Sequence, residues 1–365
     1  MSTFIKSFIR DNFIQQEEII DATRKRIKFI DLAKGVCILL VVIYHTEVIN
    51  CHNIPGLKAL RMPLYFVLSG LFFKLYDGYG SLFFKKFNKI FVPFLFFYFA
   101  GWALHNLLAI APWMETPYSM PLFALFTERI GPIWFLECLF ITTMLFGGIC
   151  TLFKNESMRL TAVILCGIFG YILSIHDVYL PCQTDVAFTA MPFFYLGYAL
   201  KKAPILYPTK YDKFDAPAGL FLIIIGIALY YLFDKPSIEF WNNTIEGNLF
   251  VNYLLSILFV IGTLLICKAI KWMPVISYIG RFSIMILIMH ELILNFMKSF
   301  APYLRGYGIN YIYFIAVFFG SWLCIPVLRK YLPQFTAQKD LISDNWIKNM
   351  RTYIDRHFKC PKSTI

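Results

Sequence analysis

The chain has 365 residues, of which 59% are hydrophobic, 19% aromatic and only 15% charged, and its mean hydropathy is +0.63. This composition excludes an ordinary soluble domain and indicates an integral membrane protein. The net charge of +12 does not require a nucleic-acid partner, because Lys and Arg concentrate in alternate loops, where they can contact anionic lipid headgroups.

Apolar stretches recur along the chain, and each is close to the length of about 20 residues that crosses a bilayer as a helix. The basic loops between them fall on the side that also holds both termini, which predicts cytoplasmic termini. We therefore expect an all-α, multi-pass protein of the inner (plasma) membrane with about ten transmembrane helices. The ten predicted spans are residues 35–52, 60–77, 88–109, 132–152, 159–176, 186–201, 217–233, 248–268, 277–298 and 309–328.

Three regions follow from this pattern. Residues 1–28 lack the apolar core and cleavage site of a secretory signal and are expected to form an amphipathic cytoplasmic segment. Residues 29–330 form one transmembrane domain, because neither an internal repeat nor a low-complexity linker divides them. Residues 331–365 have mixed charge and are expected to be a cytoplasmic tail peripheral to function.

The first predicted helix lies in "FIDLAKGVCILLVVIYHTEVI", residues 29–49. Lys34 and His45 are eleven residues apart, so they share one helix face at a separation of about 16 Å. Asp31 precedes Lys34 by one turn and can pair with it. Ionisable groups inside a span are costly and indicate a functional site. We expect Lys34 near the cytoplasmic headgroups and His45 near mid-bilayer, both in a functional site. The alternative for Lys34 is an interfacial anchor without a functional role. The alternative for His45 is a structural histidine whose buried ring is hydrogen-bonded to a carbonyl.

The second and third predicted spans contain further polar groups. In "MPLYFVLSG", Ser69 and Gly70 lie near mid-span, which favours either a hydrogen-bonding role or close helix packing through small residues. In "KKFNKIFVP", Lys86 and Lys89 share a face at the cytoplasmic end, where positive charge also anchors topology. Convergence of these lysines with Lys34 would form a rim for a polyphosphate ligand.

On the opposite side of the membrane, "IGPIWFLECLF" places Trp134 where an interfacial aromatic residue is expected. Glu137, one turn further in, predicts acceptor binding or an ion pair with Arg129 or Arg61.

The ninth predicted span, in "YIGRFSIMILIMHELIL", contains a second intramembrane histidine, His290. It follows Ser283 by two turns and is expected at the same depth as His45, so that both histidines could line one cavity. Glu291 is an alternative inward-facing group. Arg281 would lie on nearly the opposite side of the helix from His290.

Nine cysteines occur without CxxC pairs or histidines at ligand spacing, so no metal site is expected. Cys51 and Cys182 both fall on the outer side, and a disulfide between them is left open.

Six blocks in order carry a resemblance to a known family: "RIKFIDLAKGVCILLVVIYH", "MPLYFVLSG", "KKFNKIFVP", "IWFLECLF", "MPFFYLGYALKK" and "YIGRFSIMILIMH". Over most of residues 26–330 the chain resembles the membrane-bound acyltransferase-3 family, within it the branch of sugar O-acetyltransferases such as fucose 4-O-acetylase-like proteins. The chain has Lys where this family more often has Arg at the basic positions, which retains charge but loses bidentate phosphate binding. Arg61, which directly precedes the Met-Pro pair, is a further departure, because this branch of the family often has a less basic residue there.

This resemblance implies transfer of acetyl from acetyl-CoA to a hydroxyl of an envelope or exported carbohydrate, or of its lipid-linked precursor. A neutral imidazole suits the removal of a hydroxyl proton, and a hydroxyl or imidazole N–H can stabilise the oxyanion. No permanently bound cofactor is expected, and self-association is left open. The assigned residues are His45, His290 and Ser69 for catalysis, Lys34, Asp31, Lys86, Lys89 and Arg281 for acetyl-CoA, and Glu137, Trp134 and Arg61 for the acceptor.

Two other classes of function compete with acyl transfer. Buried histidines and carboxylates also serve proton relays, so a proton-coupled transporter of a small or glycolipid substrate is one alternative. A membrane scaffold without catalysis is the other, and it predicts that replacement of His45 leaves function intact.

Overall fold

The computed structural model describes residues 2–13, 19–21, 24–25, 27–49, 54–108, 125, 127–203, 207, 209–299, 308–343 and 346. Within these ranges the chain is almost entirely helical, which confirms the all-α class. The first seven helices are α1 (Ser2–Phe13), α2 (Lys28–Thr46), α3 (Leu57–Leu71), α4 (Tyr79–Lys86), α5 (Val92–Leu108), α6 (Trp134–Leu152) and α7 (Glu156–Ile175). The others are α8 (Thr184–Leu200), α9 (Asp215–Leu232), α10 (Leu249–Ile270), α11 (Ile276–Arg281), α12 (Ser283–Ser299) and α13 (Ile309–Tyr331).

Short irregular and extended elements connect these helices. A π-helical turn, Phe87–Phe91, joins α4 to α5, and 3₁₀ turns precede α6, α8 and α9. Four short strands form two antiparallel hairpins: β1 (Ile19–Asp21) with β2 (Arg24–Lys25), and β3 (Ser237–Glu239) with β4 (Thr244–Glu246).

Six described helical stretches are long and apolar enough to cross a membrane, namely residues 28–46, 131–152, 156–175, 212–232, 249–270 and 309–331. The other four predicted spans coincide with α3, α5, α8 and α12, which have 15 to 17 residues each. The chain is thus a multi-pass membrane protein by helix length and composition. Ten crossings and cytoplasmic termini stay predictions.

Helices α7, α9 and α13 expose apolar side chains on their outer faces, such as Leu165, Phe221 and Phe319. Water penalises such continuous apolar surfaces, whereas lipid does not. The exposed faces therefore mark the lipid-contacting perimeter, and α2, α3, α6 and α8 supply most of the core inside it.

Small residues permit a close contact between two helices of the core, α3 and α8. A Cβ atom added to Gly70 of α3 would overlap the carbonyl of Phe194 on α8, and one added to Gly197 of α8 would overlap the carbonyl of Val67. The backbones of α3 and α8 can approach this closely only because both positions are glycine.

The N-terminal helix α1 packs on the bundle. Phe8 contacts the rings of Tyr278 and Trp322, with centroid separations of 6.3 Å and 5.1 Å. The indole nitrogen of Trp322 donates a hydrogen bond of 2.8 Å to the side chain of buried Asn12. The apolar face of this segment is therefore used within the protein.

The beginning of the expected peripheral tail, residues 332–343, also packs on the bundle. The Asn88 side chain, which is fully buried, donates to the carbonyl of Ile342 at 2.9 Å and accepts from the backbone N–H groups of Leu341 and Ile342. The ring of Phe335 stacks on Phe96 with a centroid separation of 3.9 Å. We call residues 332–343 the C-terminal clasp.

Candidate active site

A close crossing of α2 and α11 brings α2, which carries His45, near α12, which follows α11 and carries His290. A Cβ atom added to Gly35 would overlap the backbone carbonyl of Ile276, and one added to Gly280 would overlap backbone atoms of α2. His45 lies ten residues after Gly35, and His290 lies ten residues after Gly280. Although the helix breaks at Phe282 between α11 and α12, α2 and α12 extend from this crossing over the same number of residues and bring the two imidazoles together.

His45, His290 and Glu291 consequently form a cluster. The ring centroids of the two histidines are 5.1 Å apart. The Nδ1 atom of His45 lies 3.7 Å from Oε2 of Glu291. One ligand-type atom from each residue lies within 4.8 Å of the other two. The two histidines are therefore neighbours, and Glu291 lies beside His45. His290 is not among the residues that line the cavity next to this cluster, whereas Glu291, the alternative inward-facing group, does line it.

The hydrogen bonding of His290 determines what its ring can do. Its Nδ1 lies 3.0 Å from the carbonyl oxygen of Ile286. A carbonyl only accepts, so Nδ1 must carry the proton, and Nε2 of the neutral ring holds the lone pair. Nε2 is buried and has no hydrogen-bond partner among the described residues. The proposed oxyanion-donor role for His290 needs an N–H at Nε2, which this neutral tautomer lacks.

The position of His45 along its helix differs from the expectation. The helix α2 ends at Thr46, and Glu47 adopts a left-handed conformation, whereas the predicted span continued to residue 52. His45 therefore lies in the last turn of α2 instead of at the middle of a span. A position near a helix end gives its ring access to the cavity described next.

A cavity of about 430 Å³ opens beside this cluster. Its lining includes four residues predicted from sequence, namely His45, Arg61, Trp134 and Glu291. Residues that the sequence analysis did not single out complete its polar and aromatic lining: Tyr44, Lys58, Tyr65, Phe135, Glu239, Trp241 and Asn242.

Three of these additional residues come from the β3–β4 hairpin, which the sequence analysis missed. The side chain of Asn243 accepts from Thr189 at 2.7 Å and donates to the Gly170 carbonyl at 3.3 Å. The Ile245 N–H donates to Ser174 at 3.0 Å. These bonds fix the hairpin on α7 and α8. The alternating "SIEFWNNTIE", with Asn-Asn at its centre, is the sequence signal of such a hairpin.

Arg61 enters the cavity from α3 as a buried cation. Its guanidinium carbon lies 3.6 Å from the centroid of the Tyr44 ring, and one of its terminal nitrogens lies 3.8 Å from Glu239. Its Nε atom has no hydrogen-bond partner among the described residues. Lys58 contacts the same carboxylate at 3.3 Å. Two cations therefore share Glu239 at this wall of the cavity.

Glu137 does not join these groups. It is buried and interacts with the side chains of Cys182 and Gln183, and it is not among the residues that line the cavity. The ion pair expected between Glu137 and Arg129 or Arg61 is replaced, because Arg129 pairs with buried Asp185 at 2.6 Å.

For the possible disulfide between Cys51 and Cys182, the structure describes only one of the two cysteines. Cys182 carries a free thiol. Cys51 lies outside the described residues.

The predicted lysine rim forms only in part. Lys34 lies over the ring of Phe72 at 4.8 Å from its centroid. Lys86 is close enough to Lys34 for their charges to interact, and burial together with this repulsion lowers the pKa of Lys86 to about 8. Lys89 is engaged elsewhere, because its ammonium contacts Asp340 at 2.8 Å. Lys34 is not among the residues that line the 430 Å³ cavity, so a passage from Lys34 to His45 stays a prediction.

Three further predicted residues do not line the cavity. Ser69 follows the cavity residue Tyr65 by one helical turn on α3. Asp31 precedes Lys34 by one turn on α2. Arg281 is exposed at the end of α11, where Phe282 interrupts the predicted continuous ninth span.

The fold and the cavity define a multi-pass helical membrane protein with an internal site of titratable side chains. The family model described as an acyltransferase domain, acyltransferase-3, matches residues 27–329. The chain therefore belongs to the acyltransferase-3 family, which supports acyltransferase activity. No curated protein and no solved structure matches the chain.

Proposed function

We propose that this protein is a membrane O-acetyltransferase that moves acetyl from acetyl-CoA to a hydroxyl of an envelope or exported carbohydrate. The sugar O-acetyltransferase branch that the chain resembles supports the carbohydrate acceptor. The observation that carries the proposal is the place of His45, whose imidazole lines a cavity of about 430 Å³ and lies 3.7 Å from the carboxylate of Glu291.

His45 acts as the general base. Its lone pair takes the hydroxyl proton while the sugar oxygen attacks the thioester carbonyl. The new C–O bond forms, the C–S bond breaks, and the CoA thiolate leaves and takes up the proton. The carboxylate of Glu291 stabilises the imidazolium that exists between these two proton transfers, because opposite charges attract strongly in a water-poor cavity.

The acceptor occupies the wall formed by α6 and the β3–β4 hairpin. The rings of Trp134 and Trp241 meet edge to face at a centroid separation of 5.9 Å. Aromatic faces pack against the apolar face of a sugar ring, and nearby amides and carboxylates bind its hydroxyls. Asn242 and Glu239 supply these groups, and both line the cavity. Arg61 fixes the carboxylate of Glu239 in position.

The donor binds from the opposite end of α2. Lys34 and Lys86 hold the phosphate groups of CoA through charge. The pantetheine arm carries the thioester along the face of α2 to His45, over the helical rise of about 16 Å between the two residues. Asp31 orients Lys34 from one turn away.

The test is transfer of labelled acetyl from acetyl-CoA to envelope glycan fractions by the purified full chain in detergent. The wild type is compared with His45→Ala and with the control His176→Ala, an exposed histidine at the end of α7. We expect loss of the general base to lower transfer by about 10²- to 10⁴-fold, and the control to retain it. Equal transfer by wild type and His45→Ala would reject the proposal. Solubilised protein has no proton gradient, so a transporter would show no transfer.

A further inference from the structure

The cluster of His45, His290 and Glu291 presents acceptors to one another. The lone pair of His290 is on Nε2, because its Nδ1 proton is donated to Ile286. Neither Nε2 of His290 nor Oε2 of Glu291 has a hydrogen-bond donor among the described residues. Neutral His45 adds one more lone pair. The single N–H of neutral His45 can serve at most one of these two unpartnered acceptors, so the other lacks a donor, which is unfavourable for a buried group. A cation placed among the three side chains satisfies all of them.

The donor set indicates which cation fits. Two imidazoles and one carboxylate bind Zn²⁺ and related transition metals, whereas Ca²⁺ and Mg²⁺ prefer six or more oxygen ligands. Ligands at the usual distance of about 2.0–2.1 Å from a tetrahedral metal ion lie about 3.3 Å apart. The closest pair here, His45 Nδ1 and Glu291 Oε2, is 3.7 Å apart, and all three groups lie within 4.8 Å. Small side-chain rotations therefore close the site.

The surroundings match those of a metal site in two further respects. His290 is completely buried, and the carbonyl of Ile286 that holds its Nδ1 proton is the kind of outer partner that orients metal-binding histidines. His45 and Glu291 also line the cavity, which supplies room for a water molecule as the fourth ligand.

We propose that His45, His290 and Glu291 bind a divalent transition-metal ion of the Zn²⁺ type, and that the bound ion inhibits acyl transfer. A neutral imidazole has a single lone pair. When the metal ion takes the lone pair of His45, the residue can no longer accept the proton of an acceptor hydroxyl. Inhibition rests on the proposed function, but ion binding does not.

The first experiment measures binding with Co²⁺, whose visible spectrum reports its ligands. The purified chain in detergent is titrated with Co²⁺, and the wild type is expected to bind one ion with a tetrahedral spectrum and no thiolate charge-transfer band. Glu291→Gln and His45→Gln, which keep approximate size, are expected to weaken binding at least tenfold. The matched controls Glu128→Gln and His176→Ala replace exposed residues and retain wild-type binding.

Any of three results would reject the metal site. The first is that the wild type binds no Co²⁺, the second is a spectrum that shows thiolate ligands from the cysteines, and the third is that the wild type, Glu291→Gln and His45→Gln bind Co²⁺ with equal affinity. The thermal midpoint of each variant without metal is measured first. If Glu291→Gln is unfolded, the half-buried His45 position provides the comparison through His45→Gln.

The second experiment measures acetyl transfer with Zn²⁺ and after addition of a chelator. We expect reversible inhibition, with half-inhibition at the Zn²⁺ concentration that displaces half of the bound Co²⁺. Full activity with the site occupied overturns inhibition, and so does activity that requires Zn²⁺. If the protein binds Co²⁺ at these residues but transfers no label, the metal site is supported and the proposed acyl transfer is contradicted. The inhibitory role of the ion is then rejected as well, because there is no transfer to inhibit.

Discussion

The ammonium group of Lys89 lies 2.8 Å from the carboxylate of Asp340 and donates a hydrogen bond of 3.1 Å to the carbonyl of Ala337. This pair joins the π-helical turn before α5 to the C-terminal clasp. Lys89 is thereby occupied by the protein itself. Of the predicted set, Lys34 and Lys86 are the two residues that we propose to bind the phosphate groups of CoA.

The first prediction concerns the attachment of the clasp. Asn88→Ala removes three hydrogen bonds between a buried amide and residues 341 and 342, so we expect a loss of about 2–3 kcal/mol from the clasp contact. Limited proteolysis of the purified protein measures it, as faster cleavage within residues 332–343.

The control for this prediction is Lys89→Ala. Its ion pair with Asp340 is partly exposed, and such pairs contribute about 0–1 kcal/mol. The two variants should therefore differ clearly in cleavage rate. Equal protection of the clasp in Asn88→Ala and the wild type would contradict the assignment of Asn88 as the anchor.

The second prediction concerns pH and the binding of CoA. Burial, with repulsion from Lys34, lowers the pKa of Lys86 to about 8. Lys86 is then mostly charged at about pH 7 and mostly neutral at about pH 9. The apparent affinity for CoA should fall over this interval as the ammonium charge is lost. Competition binding of CoA across pH measures the change.

Lys86→Arg is the informative comparison, because a guanidinium stays protonated throughout this interval. We expect the pH dependence of CoA affinity to flatten in this variant. An unchanged decline in Lys86→Arg would show that another group titrates.

The third prediction concerns Glu291 as a positioning residue. Glu291→Gln removes the negative charge 3.7 Å from His45 and keeps the shape of the side chain. We expect kcat for acetyl transfer to fall at least about tenfold, or about 1.4 kcal/mol, with little change in the KM for either substrate. A rise in KM at unchanged kcat would assign Glu291 to substrate binding instead.

The fourth prediction concerns the acceptor wall. Trp241→Leu keeps an apolar side chain but removes the flat aromatic face. We expect the acceptor KM to rise about fivefold, which corresponds to about 1 kcal/mol of aromatic contact, while the KM for acetyl-CoA stays constant. Trp346→Leu, at an exposed position that contacts Phe84, is the matched control. Equal acceptor KM values in all three proteins would remove Trp241 from the site.

The fifth prediction concerns the contact of α3 with α8. Gly70→Ala places a methyl group against the Phe194 carbonyl, and overpacking of this kind costs about 1–3 kcal/mol. The thermal midpoint in detergent should fall. Gly148→Ala on α6 meets no atom within 4 Å, so its midpoint should stay the same or rise. Equal midpoints for Gly70→Ala and the wild type would contradict the close crossing.

Sequence patterns predicted the features that depend on neighbouring residues. Helix periodicity placed Lys34 and His45 on one face, and apolar length located the helices of all ten predicted spans. The break at Phe282 and the end of α2 at Thr46 escaped prediction, because hydropathy averaged over about 19 residues does not register a local change of the backbone.

Contacts between distant segments were outside the reach of these patterns. Glu137 was expected to bind the acceptor or to pair with Arg129 or Arg61, but Arg129 pairs with Asp185. The β3–β4 hairpin reached the cavity through anchors on α7 and α8. No local rule states which of several carboxylates or loops will lie nearest to a given group.

Composition by itself determined that this protein folds in lipid as a helical bundle, since its backbone must satisfy its own hydrogen bonds there. The order of its motifs indicated the family. Only the tertiary structure decided that His45, His290 and Glu291 meet. Glycines at positions 35 and 280 allow α2 and α11 to cross closely, and this crossing brings α12 beside α2, so that side chains 245 residues apart in the chain become neighbours.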